Sequence, residues 1–321
     1  MIEKYNIRTD LALEEQERFE SDDVEISGVI LEEDYDQDCE MRVTKVIIET
    51  ENGAKKMGKP VGTYVTLEAP NLAVPDDKYH DKISEKLMYY IRQLIREHVR
   101  SDNLSVLVVG LGNRYSTPDA LGPFVSDHLC VTRHFVREYG KYASEAGTMD
   151  MVSSIVPGVM GQTGMESVEI VKGIVEEIKP HLVIAVDALA ARNSRRLNRT
   201  IQISDTGIYP GAGVGNYRRG LTKETVGVPV IGIGVPTVVD AATIASDTME
   251  NLITELEHSE KFGQVGKELK HFQEAEKYDF VSSLLSPHLN GMFVTPKDED
   301  EMVHQISRTI ANALNGLFQA S

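Results

Sequence analysis

The chain alternates short apolar runs with amphipathic stretches, and this pattern predicts most of its secondary structure. The runs SVLVVG, LVIAVDA and PVIGIGVPT are short and almost free of polar residues, which is typical of strands buried on both faces. Helical spacing of apolar residues marks DDKYHDKISEKLMYYIRQLIREHVR, MESVEIVKGIVEEIK and the closing DEDEMVHQISRTIANALNGLF. The pattern predicts an α/β fold with a twisted, mostly parallel sheet and helices on both faces. Ligands of such sheets bind outside the carboxyl ends of the strands.

The segments outside this core pattern predict other kinds of structure. RVTKVIIET and GTYVTLE alternate apolar and polar residues around the turn-rich ENGAKKMGKP, which predicts an N-terminal hairpin. The first forty residues are densely acidic and indicate a solvated appendage. A polar stretch that begins at His258 predicts a helical insertion near residues 258–290 of one α/β domain.

Charge and composition exclude several partners. Among 321 residues, 50 acidic and 33 basic side chains give a formal net charge of −17, which repels phosphate backbones and anionic membranes. We therefore expect no nucleic acid and no membrane partner. The N-terminus lacks the apolar core of a signal peptide, so a cytoplasmic location is expected. Two distant cysteines suggest neither a disulfide framework nor a metal motif.

The glycine-rich loop GLGN does not carry a nucleotide motif. It lacks the third glycine of the dinucleotide fingerprint, and no phosphate-loop motif occurs in the chain. A nucleotide-binding regulatory module remains the alternative from another class. Hydrolase templates with a serine elbow or a zinc helix are also absent. What remains is a pair of aspartates, Asp119 and Asp187, each following a predicted buried strand.

These two aspartates suggest acid–base chemistry. Two carboxylates in one crevice do not easily both ionise, so one can act as base while the other holds a proton. Such a pair can hydrolyse an amide without a metal or other cofactor. No histidine lies between His181 and His258, which disfavours metal ligation after Asp187. Asp119 has a structural alternative, since Thr117-Pro118-Asp119 also resembles a helix start.

A basic cluster follows Asp187 in an otherwise acidic chain. Arg192, Arg195 and Arg196 carry guanidinium groups, whose fork geometry suits carboxylates, so an acidic side chain of a peptide is a natural ligand. The alternative is a solvated or subunit-facing surface.

Several long motifs resemble the germination protease family of endospore-forming bacteria. They are VVGLGNRYSTPDALGP, SSIVPGVMGQTGMES, AVDALAARN, TIQISDTGIYPGAGVGNYRRG and IGVPTVVDAATIASDT. The resemblance implies a phosphorylase/hydrolase-like fold and an atypical aspartic endopeptidase, made as a self-processing zymogen. It also implies small acid-soluble spore proteins as substrates, a homotetramer, and a place in the forespore or spore core. The fold resembles that of hydrogenase-maturation endopeptidases, so a metal-dependent peptidase acting on a partner protein is the enzymatic alternative.

The resemblance also assigns residues. It implies that Asp119 and Asp187 are catalytic, and that cleavage follows an acidic residue in a motif like Thr-Glu-(Phe/Ile)-Ala-Ser-Glu. TDLALE, from Thr9 to Glu14, is a near copy. We therefore expect self-cleavage between Asp10 and Leu11, which removes residues 1–10 as a propeptide. Leu13 replaces the serine of the motif, a departure that could slow activation.

Overall fold

The computed structural model describes residues 9–20, 26–101, 103–140, 149–211, 219–259, 261–270, 283–284 and 291–319. The strands are β1 (Val29–Asp36), β2 (Met41–Ile48), β3 (Gly62–Glu68), β4 (Ser105–Gly110), β5 (Met151–Ile155), β6 (Leu182–Ala191), β7 (Thr200–Ser204), β8 (Val230–Asp240) and β9 (Phe293–Val294). The helices are α1 (Ala12–Glu20), α2 (Glu51–Met57), α3 (Asp77–His98), α4 (Leu121–Asp127), α5 (Arg133–Tyr139), α6 (Met160–Thr163), α7 (Ser167–Ile178), α8 (Lys223–Val226), α9 (Ala241–His258), α10 (Gly263–Lys270) and α11 (Glu299–Gln319).

The described strands form one mixed sheet in the order β1-β2-β3-β7-β8-β6-β4-β5, with β9 paired to β8. Strands β8, β6, β4 and β5 run parallel to one another. The other half, from β1 to β7, is antiparallel and joins the parallel half through β7 and β8. The predicted α/β class is confirmed, and the three apolar runs form adjacent parallel strands.

Burial on both faces explains why these strands read as continuous apolar runs. Successive side chains of a strand point to opposite faces. Val106 and Val108 of β4 join one core cluster, which α3 and α11 cover, whereas Leu107 and Val109 join a second cluster, which α7 covers. Every residue of β4 is buried as a result.

The N-terminal region differs from the predicted appendage. Residues of the first forty form α1 and β1, and β2 and β3 pair antiparallel as expected, with Arg42 opposite Glu68. The turn-rich segment between them contains helix α2, whose first turn is capped by the Thr50 hydroxyl oxygen accepting from the Gly53 N–H at 3.1 Å. Strand β1 pairs only with β2 within the described sheet. Its residues Glu32, Glu33 and Asp34 are exposed and Asp36 pairs with Lys86, so its charge density is compatible with an edge strand.

The polar insertion predicted near residues 258–290 includes α10, and residues 271–282 and 285–290 lie outside the described part. Over the part of the chain that the structure describes, no helix combines the length and the apolar character that crossing a bilayer requires.

Helix α4 begins very close to the ends of the parallel strands. A Cβ on Gly122 would lie 2.4 Å from the Leu111 carbonyl oxygen and 2.5 Å from the Val186 carbonyl oxygen. Both neighbours are backbone atoms, so neither can rotate away. Glycine at this position allows the helix and the loop before it to sit against β6.

We expect Gly122→Ala to lower the free energy of unfolding by about 3 kcal/mol, the upper part of the range for overpacked cores. Gly173→Ala is the matched control, because Gly173 lies inside α7, where an added Cβ would have no atom within 4 Å beyond the backbone of its own helix. The control should gain roughly 0.5–1 kcal/mol from helix propensity. Urea unfolding of both variants measures the difference, and equal stabilities would contradict the close approach.

Candidate active site

Asp187 lies on the part of β6 that extends beyond the end of β4. The last residue of β4, Gly110, pairs with Val186, and Asp187 pairs on its other side with Gly234 of β8. The Asp187 side chain is 4% exposed, and its Oδ1 accepts a hydrogen bond from the Ala188 N–H at 3.0 Å. A carboxyl group is thereby fixed at the carboxyl end of the parallel strands.

Asp119 reaches the same end of the sheet on the loop that follows β4. Its three-residue 3₁₀ turn, Thr117–Asp119, is held to β8 by the Thr237 hydroxyl, which donates to the Pro118 carbonyl oxygen at 2.6 Å. The Asn113 N–H donates to Asp119 Oδ2 at 2.8 Å. The 3₁₀ turn agrees with the helix start that Thr117-Pro118-Asp119 resembles, and the Asp119 carboxylate also accepts from the preceding loop.

The glycine of GLGN makes room for this turn and not for a phosphate. Gly112 has a φ of +110°, and a Cβ there would lie 2.0 Å from the Asp119 carbonyl oxygen. The Asn113 N–H, which could face an anion, is already used by Asp119. The space that a nucleotide loop would offer its ligand is filled by the chain itself.

Asp119 and Asp187 line one cavity of about 400 Å³, here called the aspartate cavity. Its wall also includes Asp10, Gly112 and Thr237. The structure thus brings together the two predicted catalytic residues and the residue before the predicted cut. A second cavity of about 690 Å³, lined by Lys55, Lys59 and Tyr64 among others, is called the lysine cavity. Asp10 and Leu189 line both cavities.

The segment around the predicted cut is docked onto the end of β6. The Asp10 N–H donates to the Ala190 carbonyl oxygen at 3.2 Å, and the Ala190 N–H donates to Asp10 Oδ2 at 2.9 Å. Leu11 is fully buried in the cluster that contains Leu111 and Leu189. Leu13, the departure from the family motif, is 4% exposed.

Glu14 is held in a built anion site. Its carboxylate accepts from the backbone N–H groups of Arg192 at 2.7 Å and Asn193 at 3.0 Å, and from Arg196 Nη1 at 3.3 Å. The Thr9 hydroxyl donates to the same carboxylate. The side chain is 2% exposed, so these donors replace its lost water.

Arg196 is the predicted arginine whose guanidinium meets acidic groups of the N-terminal segment. It is buried, contacts Glu14, and forms pairs with Glu17 at 2.6 Å and with Glu68 at 2.9 Å. Burial disfavours the guanidinium charge, but the Glu17 hydrogen bond and the charges of Glu14, Glu17 and Glu68 outweigh it and raise the Arg196 pKa.

Arg192 and Arg195 are placed differently. Arg192 binds Glu14 through its backbone N–H, and the charges of both side chains act on Asp247 of α9. Burial, followed by the charge of Glu250, raises the Asp247 pKa to about 6, and the two arginines partly offset this.

Two residues at the predicted cut were missed by sequence reasoning. Lys59 Nζ donates to the Asp10 carbonyl oxygen at 2.9 Å, and Gln202 Nε2 donates to it at 3.1 Å. Gln202 stands between two isoleucines of a short strand, so a polar residue in an apolar run was the available signal. Lys59 lies in a turn that carries no comparable signal.

A cluster of possible metal ligands lies outside the aspartate cavity. Among the described residues, Glu97, His98 and Asp205 place one ligand atom each within 4.8 Å of one another. None of the three lines the aspartate cavity. His98 Nε2 and Asp205 Oδ2 lie 2.9 Å apart, and Asp205 Oδ1 accepts from the Thr63 N–H, so this cluster also has a structural role.

Comparison with known proteins gives the class of the chain. The family model described as germination protease matches residues 7–264. Germination proteases of Caldanaerobacter subterraneus subsp. tengcongensis and Clostridium perfringens are 46% and 43% identical, covering 99% and 98% of this chain and 96% of each relative. The chain is therefore a peptidase. It belongs to the germination protease family, which confirms the resemblance seen in its motifs.

A solved structure of a NiFe hydrogenase maturation protease from Thermococcus kodakarensis also matches. It is 15% identical, with a TM-score of 0.32, and covers 70% of this chain and 98% of its own. A similarity this weak carries no argument about metal or mechanism.

Asp247 generates a pH prediction. Its folded-state pKa of about 6 lies above the ordinary 3.8, so its contribution to stability is lost as pH rises from about 4 to 7. Asp247→Asn should raise the free energy of unfolding more at pH 7 than at pH 4. We expect a difference of about 1 kcal/mol, because solvent screening at a half-buried site reduces the value of about 1.4 kcal/mol per pKa unit.

Unfolding of the variant and the wild type at both pH values measures this difference. Glu176→Gln, on the exposed face of α7, serves as control. A gain for Asp247→Asn that is the same at both pH values would refute the assignment.

Proposed function

We propose that this peptidase is a self-processing endopeptidase of the aspartate type. It cuts its own Asp10–Leu11 bond and then starts the degradation of small acid-soluble spore proteins during germination. The observation that carries the proposal is the shared wall of the aspartate cavity, where Asp119, Asp187 and Asp10 come together. The family resemblance supports a homotetramer in the spore core as the setting.

The chemistry needs two carboxyl groups with one proton between them. The ionised aspartate removes a proton from water, and the water oxygen forms a bond to the Asp10 carbonyl carbon. The protonated aspartate then gives its proton to the Leu11 nitrogen as the carbon–nitrogen bond breaks. The new main-chain carboxylic acid of Asp10 then passes its proton to the new amino group of Leu11, so the products are a carboxylate and an ammonium, and one proton remains on the aspartate pair. Each proton transfer of this kind contributes ~10²–10⁴-fold.

The docked segment resembles a bound substrate. Asp10 is fixed by two hydrogen bonds to Ala190, Leu11 fills an apolar site, and Glu14 occupies the anion site beside Arg196. These three contacts involve the positions that the family motif specifies: the acidic residue before the cut, the apolar residue directly after it and the glutamate that is the fourth residue after it. We infer that substrate proteins use the same contacts.

The same contacts account for a silent zymogen. Residues 9–14 lie where a substrate would lie, so the uncut chain covers its own site. A substrate protein can enter only when this segment has been cut and has left. Self-cleavage therefore precedes activity on other chains in this scheme.

We expect the wild type to lose residues 1–10 on incubation, and Asp119→Asn and Asp187→Asn to lose them at least 10³-fold more slowly. Each amide removes a proton donor or acceptor while keeping the shape of the side chain. Mass spectrometry of the intact chain and its N-terminus measures the product. Addition of a chelator should leave the wild-type rate unchanged.

Two rivals predict other results. A metal-dependent maturation peptidase would stop on chelation and would leave the Asp10–Leu11 bond intact while cutting a partner. A nucleotide-binding module would cut nothing and would be stabilised thermally by a nucleotide. Unchanged self-cleavage in both asparagine variants would end the proposal. Asp127→Asn, an exposed aspartate paired with Arg114, is the matched control.

The anion site gives a second prediction. Glu14→Gln should slow self-cleavage about tenfold or more, since a hydrogen bond to a charged group contributes about 1.5–3 kcal/mol. In an Arg196→Met background the same change should cost less than about threefold, because the cationic partner is already gone. Rates are measured well below the melting temperature of each variant.

Glu17→Gln is the control, because Glu17 also pairs with Arg196 but lies outside the substrate-like motif. Its effect on cleavage should stay within about threefold. Equal losses from Glu14→Gln in both backgrounds would show that Arg196 does not recognise this carboxylate.

A further inference from the structure

Two side-chain donors converge on one carbonyl oxygen at the predicted cut. The oxygen belongs to Asp10, whose carbonyl forms the bond to Leu11. Lys59 Nζ lies 2.9 Å from it and Gln202 Nε2 lies 3.1 Å from it. The proposed acid–base chemistry assigns neither residue a role, and both lie on the antiparallel side of the site.

The orientation of the Gln202 amide follows from its second contact. The Ala12 N–H donates to Gln202 Oε1 at 2.7 Å, and a backbone N–H can only donate. The amide oxygen must therefore face Ala12, which leaves the NH₂ group facing the Asp10 oxygen. Gln202 is 9% exposed and contacts both sides of the Asp10–Leu11 bond. Its NH₂ group donates to the Asp10 carbonyl oxygen, and its Oε1 accepts from the Ala12 N–H.

The backbone around Lys59 is restrained on both sides. It follows Gly58, where α2 ends, and its own N–H donates to the Ala54 carbonyl oxygen at 3.2 Å. Pro60 follows it and restricts its backbone to extended conformations. The Pro60 carbonyl oxygen accepts from the Tyr64 hydroxyl at 2.9 Å. From this restrained backbone, the half-buried Lys59 ammonium donates to the carbonyl oxygens of Thr9 and Asp10.

We propose that Lys59 and Gln202 form the oxyanion site of the self-cleavage reaction. This inference rests on the proposed cut between Asp10 and Leu11. When water adds to the Asp10 carbonyl carbon, the carbonyl π electrons move to the oxygen, which becomes negative. The Lys59 ammonium and the Gln202 amide stabilise that charge through hydrogen bonds that are already in place. When the bond to the Leu11 nitrogen breaks, the electrons return to the carbonyl.

A role as a simple anchor makes a different prediction. An anchor holds the segment equally well before and during the reaction, so its loss releases the segment. An oxyanion donor acts more strongly in the transition state, so its loss slows cleavage and leaves the segment docked. Removal of one such donor typically costs ~10²–10³-fold in rate. Cleavage rate and docking therefore have to be measured side by side.

The experiment uses the full chain. Lys59→Met removes the ammonium, and Gln202→Glu removes the amide donor while keeping an oxygen for the Ala12 N–H. The first-order rate of loss of residues 1–10 is followed by mass spectrometry. Lys55→Met is the matched control, because Lys55 lies one turn earlier and lines the same lysine cavity. Docking is followed by hydrogen exchange of the Leu11 and Ala12 amides in an Asp119→Asn background, where the segment stays uncut.

We expect Lys59→Met and Gln202→Glu to slow cleavage by ~10²-fold or more, with Lys55→Met within about threefold of the wild type. Amide protection at Leu11 and Ala12 should be kept in Lys59→Met, and Lys59→Arg should recover part of the rate. Lys59→Met is the decisive variant if Gln202→Glu does not fold.

Three outcomes would overturn the inference. The first is a wild-type cleavage rate in Lys59→Met, and the second is a rate loss in this variant that is matched by an equal loss of amide protection. Either result would rule out the oxyanion site and leave the aspartate scheme intact. A wild type that never cuts between Asp10 and Leu11 would end the proposed function, and the oxyanion site with it.

Discussion

The site depends on the parallel pairing of β6 between β4 and β8, in which β6 continues past the end of β4. Because Gly110 pairs with Val186, the next residue of β6, Asp187, has no β4 partner beside it. The chain leaving β4 stays close, since the Leu111 N–H donates to the Val186 carbonyl oxygen at 2.8 Å. That contact directs the following loop, and Asp119 with it, across the part of β6 that extends beyond β4. Helix α4 can begin against the same carbonyl only because residue 122 is glycine.

The parallel half of this arrangement could be predicted from the sequence, because apolar runs buried on both faces are distinctive. Asp119 and Asp187 were singled out by their places near the ends of these runs, and both line the aspartate cavity. Their catalytic role stays a prediction. The antiparallel half could not be predicted to the same extent. Lys59 and Gln202 reach the site only because β3 pairs with β7 and β7 with β8, contacts between residues far apart in sequence. The periodicity of apolar residues indicates which face of a strand or helix a residue lies on, but it does not indicate which strands become neighbours in the sheet.

The first forty residues show a second limit of sequence reasoning. Dense acidic charge usually indicates a solvated segment, yet Leu11, Ala12 and Leu13 are buried and Glu14 occupies a site with backbone and guanidinium donors. Among the described acidic residues of this segment, Asp10, Glu14 and Glu17 make specific contacts, whereas others such as Glu32 and Glu33 are exposed. Composition averages over both kinds of residue, so only the substrate-like motif distinguished Glu14 from its neighbours.

The proposed roles divide hydrolysis between the two halves of the sheet. Proton transfer needs groups that gain and lose a proton, and the parallel half supplies Asp119 and Asp187. Charge on the carbonyl oxygen needs fixed donors, and the antiparallel half supplies Lys59 and Gln202. A metal ion performs both tasks in metallopeptidases, because it activates water and polarises the carbonyl. In the proposed scheme the protonated aspartate donates to the leaving nitrogen, so the carbonyl oxygen takes separate donors, and a lysine ammonium offers full positive charge there. The docked segment is the first substrate in this proposed scheme, because Asp10 lines the cavity of the two aspartates and its carbonyl oxygen accepts from Lys59 and Gln202.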